Sequence, residues 1–305
     1  MTFFRTYSKI IALVILSVFP ALSQANSVAC FTSNMGQFCM ELFERQAPGT
    51  VANFIRYIDS GAYAQSIFHR SVPGFVIQGG GFKVTNSDTG VTASKVSTFD
   101  PIVNEFGFSN TRGTVAMAKV GGDPDSATSQ WFVNLKNNSV ILDNQNGGFT
   151  VFAKILFNGM NIFDAIANLE ISNFGAPLDE TPTTNFNSSQ TLRIDNFVVI
   201  SSVDVHDVTG VFDGSTVGFA VDAGNNNFFD VRLQLVAAEF GIVFELDQDS
   251  ITFLSAAPEN RATFSAGDGT LIIPSVMINE TTIVKNVVLV LTDPVSFQFT
   301  LVSFE

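Results

Sequence analysis

Two periods of apolar residues run through the chain. In "APGTVANFIRYIDSGAY", Val51, Phe54, Ile55 and Ile58 fall on one face of a helix, punctuated by Pro48 and Gly61. "NGMNIFDAIANLE" predicts a second helix, with Ile162, Phe163, Ile166 and Leu169 along one side. The runs "FVIQGG", "GTVAMAKV", "SQWFVNL", "FTVFAKI" and "TLRIDNFVVISS" are short, apolar and bounded by turn formers, and predict strands. "VACFTSNMGQFCMELF" predicts a hairpin turning at Asn34–Met35. Residues 26–202 therefore predict a mainly β unit with a helix near each end. Closing its strands into a barrel would remove exposed edges, and the helices would plug the open ends.

Near Ser202 the pattern changes. "VRLQLV", "GIVFEL", "TLIIPSV", "NVVLVLT" and "FQFTLVSF" alternate, with turns such as "DAGNNN" and "AGDGT" between them. No helical period appears. Residues 203–305 predict a second all-β domain, a small antiparallel sandwich.

Composition sharpens this picture in three places. Arg5 and Lys9 precede the apolar run "IIALVILSVFPAL", and small residues follow at Ser23 and Ala25. This predicts an export signal over 1–25, cleaved after Ala25, since the run is too short for a comfortable membrane span. No later run is long and apolar enough to span, so the expected product is periplasmic or secreted. Second, the net charge of −13 is uneven: residues 203–305 hold 14 acidic and 3 basic side chains. Phosphate backbones would be repelled, which excludes nucleic acid as a partner.

Third, the mature chain has two cysteines, Cys30 and Cys39, and two histidines, His69 and His206. A cysteine–histidine zinc site is out of reach, and neither histidine sits in a nucleophile-elbow context. "DAGNNNFFD" and "LDQDS" lack the spacing of a calcium loop and predict turns. No metal or cofactor is expected. A two-residue turn would place Cys30 opposite Cys39, with Cα atoms about 4.5 Å apart and within disulfide reach. The alternatives are two packed free thiols or a different register.

The chemistry concentrates in "FHRSVPGFVIQGGGF". It holds an arginine, a glutamine and four glycines among apolar residues, with no cysteine and no carboxylate. Pro73–Gly74 predicts a turn that brings Arg70 beside the strand starting near Phe75. The stretch resembles the signature of the cyclophilins, the peptidyl-prolyl cis–trans isomerases. "NTRGTVAMAK", "DSATSQWFVNL" and "ILDNQNGGFTVFAKILFNGM" follow in that family's order, so the resemblance spans about 27–202. It implies an eight-stranded antiparallel barrel capped by two helices, and an enzyme that accelerates rotation of X–Pro bonds in folding envelope or secreted proteins. It implies catalytic roles for Arg70 and Gln78. It also implies a groove for proline-containing polypeptides lined by Phe75, Val76, Met117, Ala118, Lys119, Gln130, Phe132, Ile141, Leu142 and Phe149. Such a reaction only twists an amide, so a donor aimed at the proline nitrogen serves where a nucleophile would not.

Four positions depart from frequent family residues. Val76 stands where methionine is common, Lys119 where asparagine is frequent, and Phe149 where eukaryotic members have histidine. Ile141 replaces a tryptophan whose N–H contacts cyclosporin, so weak cyclosporin binding is expected. Two other classes of function fit the same residues. One is a proline-recognising chaperone or binding module with little turnover. The other is a surface interaction protein acting through the acidic C-terminal domain.

Overall fold

The computed structural model describes residues 26–87, 90–236 and 241–305. The expected export signal lies outside the described residues. Chain order begins with β1 (Asn26–Ser33), β2 (Gly36–Leu42), α1 (Pro48–Asp59), β3 (Ser66–Ile67), β4 (Arg70–Val72), β5 (Val76–Gly79), β6 (Phe82–Ser87) and β7 (Gly90–Lys95). It continues through β8 (Thr114–Met117), β9 (Trp131–Asn134), α2 (Ser139–Leu142), β10 (Val151–Ile155), α3 (Gly159–Ala167), β11 (Glu170–Ser172), β12 (Thr181–Thr183) and β13 (Val199–Val208). Among the described residues the remaining elements are all strands: β14 (Gly210–Phe212), β15 (Thr216–Asp222), β16 (Phe228–Val236), β17 (Val243–Leu254), β18 (Ala262–Ser265), β19 (Thr270–Met277), β20 (Ile283–Asp293) and β21 (Gln298–Ser303).

Both expectations about sheet architecture need correction. The first sheet is not a closed eight-stranded barrel. It is one ladder of eleven strands, ordered β4-β5-β9-β8-β10-β2-β1-β13-β3-β6-β7, and among the described residues no pairing joins its ends. The ladder breaks where the chain between β3 and β4 changes partners. Phe68 N–H donates to Val198 on one side, and His69 N–H donates to Gln78 on the other. The second sheet is not a sandwich. Its ring β15-β16-β17-β21-β20-β19-β18 returns to β15, making a closed barrel of seven strands, with β14 bridging β15 and β19. One parallel pairing closes it, Val221 with Ala262, and a second, Gly210 with Val276, ties β14 to β19. Alternation marks each strand as half-buried, but closure depends on partners distant in sequence that carry no local signal.

The two helical stripes form as their spacing predicts. On α1, Val51, Phe54 and Tyr57 are buried, while Ile55 and Ile58 pack at the edge of the same core. The free N–H groups of its first turn are met by Glu105, whose carboxylate accepts from Gly49 at 3.0 Å and Thr50 at 2.7 Å. The core is aromatic: Phe31 stacks on Phe38 at 5.0 Å, and Trp131 meets Phe68 edge-on at 5.7 Å. In the first hairpin Ser33 pairs with Gly36, and Cys30 lies opposite Cys39 with the two joined in a disulfide.

The two sheets meet on that disulfide. β13 pairs with β1 as far as Asn26–Val208, and only Thr209 separates it from β14 of the second sheet. Val28, Cys30, Cys39, Leu156 and Val208 from the first part cluster with Val211 and Met277 of the second. The Glu280 carbonyl oxygen sits 3.7 Å from the Cys39 sulfur, and Arg45 pairs with Asp230 at 2.7 Å.

Candidate functional site

The turn at Pro73–Gly74 fixes the site's register. Gly74 adopts φ +70°, Phe75 N–H donates to Val72, and Arg70 falls opposite Gln78. Gln78 in turn pairs with Phe132, and Phe132 with Ala116. Arg70, Gln78, Phe132 and Ala116 thus form one row across β4, β5, β9 and β8. Paired residues share a face, so the row sets a cation and an amide beside apolar side chains.

The apolar end of the row is a socket. Val76, Phe132 and Leu142 are buried, with Phe75, Ala118 and Phe149 packed around them. Phe149 meets Phe132 edge-on at 5.7 Å. Lys119 lies over the Phe149 ring at 4.9 Å and donates from Nζ to the carbonyls of Asn146 at 2.8 Å and Gly148 at 2.6 Å. Burial lowers its pKa, partly opposed by the charge of Asp125. The Lys119 ammonium is therefore engaged by the loop carrying Asn146 and Gly148. Ala118 N–H donates to the Gln130 carbonyl at 2.9 Å, tying the same wall to β9. Ile141, on α2, remains 43% exposed. Met117 is turned the other way, into the main core.

At the polar end the side chains of the neighbours Gln78 and Arg70 turn to different partners and not to each other. Gln78 Nε2 donates to Gln130 Oε1 at 2.8 Å. Arg70 Nε donates to Glu180 Oε2 at 2.6 Å, and Ser71 N–H donates to the Glu180 carbonyl at 2.8 Å. A cavity of about 550 Å³ opens beside Arg70, Gln78 and Gln130, walled by Pro177 and Asp179 from the segment before β12. Glu180 is the residue that sequence reasoning missed. It lies 110 positions from Arg70, and only its place in the acidic pair of "APLDETPTT" set it apart.

The glycine run also has a steric reason. A Cβ on Gly80, at φ +76°, would lie 2.5 Å from the Ser129 carbonyl oxygen, and one on Gly81 2.8 Å from the Gln130 side chain. The run lets the segment entering β9 approach closely enough to place Gln130. His69 is buried against Phe82, at 4.9 Å between rings. Burial pushes its pKa down to about 4, so the ring is neutral near pH 7. The site therefore joins fixed donors to an apolar socket. Such an arrangement can hold a neutral chain and favour a change in its electronic distribution.

Comparison with known proteins bears on this geometry. The family model for cyclophilin type peptidyl-prolyl cis-trans isomerase/CLD matches residues 28–188. A peptidyl-prolyl cis-trans isomerase of Acinetobacter baylyi is 41% identical over 154 residues, covering 50% of this chain and 77% of that protein. Peptidyl-prolyl cis-trans isomerase A of Dickeya dadantii is 35% identical over 184 residues, covering 59% and 92%. Peptidyl-prolyl cis-trans isomerase B of Escherichia coli is 38% identical over 155 residues, covering 49% and 89%. The family match stops before β13 and assigns nothing to the closed barrel. Carried by residues 28–188, the chain belongs to the cyclophilin family and is a peptidyl-prolyl cis–trans isomerase.

Proposed function

We propose that Arg70 is the donor that drives this isomerisation, and that the clients are proline-containing polypeptides exported with the protein. The row from Arg70 through Gln78 and Phe132 to Ala116 carries the reading, since it sets a permanent cation against an apolar socket. Rotation about X–Pro breaks amide resonance, against a barrier of roughly 18–20 kcal/mol. In the twisted state the proline nitrogen turns pyramidal and gains a lone pair. Arg70 donates to that lone pair, an interaction absent from either planar isomer, so it stabilises the transition state selectively.

Val76, Phe132 and Leu142 hold the proline ring, and Phe75 and Phe149 close the socket's sides. Gln78 and Gln130, joined to each other, receive the residues preceding proline, with the Ala118–Lys119 backbone on the facing wall. Glu180 fixes the Arg70 plane through Nε, which leaves the Nη groups for substrate. The expected signal over 1–25 supports work in the cell envelope or outside it. Cyclosporin binds weakly because Ile141 offers no N–H.

A protease-coupled assay on an alanine–proline peptide tests the mechanism, comparing the native protein with Arg70→Ala. A loss on the order of a hundredfold in kcat/KM is expected. Equal rates in the two would overturn Arg70's role. No rate in either would favour a binding module.

A further inference from the structure

The seven-stranded ring has no free edge along its closure, so a partner reaches its interior only through the mouths. Inward-facing residues two apart on the same strand divide between two chambers. Val217, Ile273, Leu289 and Leu301 line one of about 360 Å³. Phe219, Leu271, Leu291 and Phe299 line the other, of about 380 Å³. The second chamber is lined wholly by apolar side chains and Gly269. Ala223, Ala266 and Gly269 are the small residues of its lining.

Protein interiors are packed at crystal-like density, and voids much larger than a water are few. Here Leu246, Phe264 and Leu291 line the chamber yet stay only partly buried. The side chains of the barrel do not fill it. Volumes of this size fall in the range of small-molecule sites, which favour the mouths of β-barrels.

We propose that the chamber beside Leu246 and Phe264 binds an uncharged apolar small molecule, a hydrocarbon chain or fused ring. An apolar cavity of about 150 Å³ takes benzene, so this chamber takes roughly fifteen carbon atoms. A polar or charged group inside would lose its hydrogen bonds to water with no partner in the wall. Asp268 and Asp293 neighbour the lining residues Gly269 and Leu291, and the region's excess of acids repels an anionic head. Hydrocarbon and fused-ring sources are separated by competition.

N-phenyl-1-naphthylamine, uncharged and apolar, is the probe, titrated into the full-length protein. Saturable fluorescence enhancement is expected, displaced by decanol for a hydrocarbon site and left unchanged by decanoate. Leu246→Trp fills the chamber and should weaken probe binding at least tenfold, with circular dichroism and isomerase turnover unchanged. No saturable enhancement, or equal binding by a folded Leu246→Trp protein, would overturn the proposal, as would equal displacement by decanoate. Crystals of the native protein under xenon supply a test that needs no variant: density in the chamber supports the site, and its absence refutes it.

Discussion

Arg70 Nε donates to Glu180 Oε2 at 2.6 Å, across 110 residues of sequence. Both side chains are partly exposed, at 35% and 43%, so the pair contributes little to stability. Its consequence is orientation. With Nε engaged, the guanidinium plane is set and the Nη edge is directed by the fork's geometry. Glu180→Ala should lower kcat/KM by roughly three- to tenfold with little change in Tm, corresponding to about 0.6–1.4 kcal/mol of transition-state stabilisation. Glu180→Gln keeps an acceptor oxygen and should retain most of the rate. Equal turnover in all three proteins would remove Glu180 from the mechanism.

Ile141, on α2 beside the buried Leu142, is 43% exposed and without a polar group. Ile141→Trp supplies an N–H there. One added hydrogen bond contributes about 1 kcal/mol, so the inhibition constant for cyclosporin should tighten roughly five- to tenfold. Competition in the isomerase assay measures it, and an unchanged constant would show that residue 141 does not reach the inhibitor.

Cys30 and Cys39 are joined across β1 and β2, nine residues apart in sequence, under the Glu280 carbonyl of the second sheet. Closing so short a loop restricts the unfolded chain by about 2–3 kcal/mol. The Cys30→Ser, Cys39→Ser protein should unfold at lower denaturant with its turnover intact, because neither cysteine lies in the row containing Arg70. Loss of activity in a folded double variant would link the disulfide to the groove.

Glu44 is buried, accepts from the Ser27 N–H at 3.2 Å, and has its pKa pushed up to about 7, chiefly by desolvation. Its folded pKa lies above its unfolded one near 4.5, so the folded state holds the proton more tightly. Stability from this group is complete below about pH 4.5 and declines as pH rises through 7. Glu44→Gln should flatten that slope and stabilise the protein at pH 8 by roughly 1–3 kcal/mol. His69 works in the opposite sense: its pKa is lowered to about 4, so its contribution is present above about 6.5 and falls away below that. Denaturant midpoints measured from pH 4 to pH 8 in the native protein and Glu44→Gln separate the two. A parallel pair of curves would rule out Glu44 as the source.

Sequence by itself determined the local parts of this protein. The stripe of Val51 and Phe54 specifies a helix face because its period matches a helix turn. Pro73–Gly74 specifies the turn that sets Arg70 against Gln78. The motif "FHRSVPGFVIQGGGF" was legible as a cyclophilin site because turn, strand and glycine run are contiguous. Tertiary structure decided what depends on distant partners. It set whether the ends of a ladder pair, which leaves the first sheet open and closes the second through Val221 and Ala262. It sent Met117 into the core while Ala118 packs with Phe132 and Leu142. It also gave Arg70 the carboxylate of Glu180 in place of the neighbouring Gln78. Local backbone preference is written in adjacent residues, whereas strand closure and charge pairing are selected by packing among segments that sequence does not place side by side.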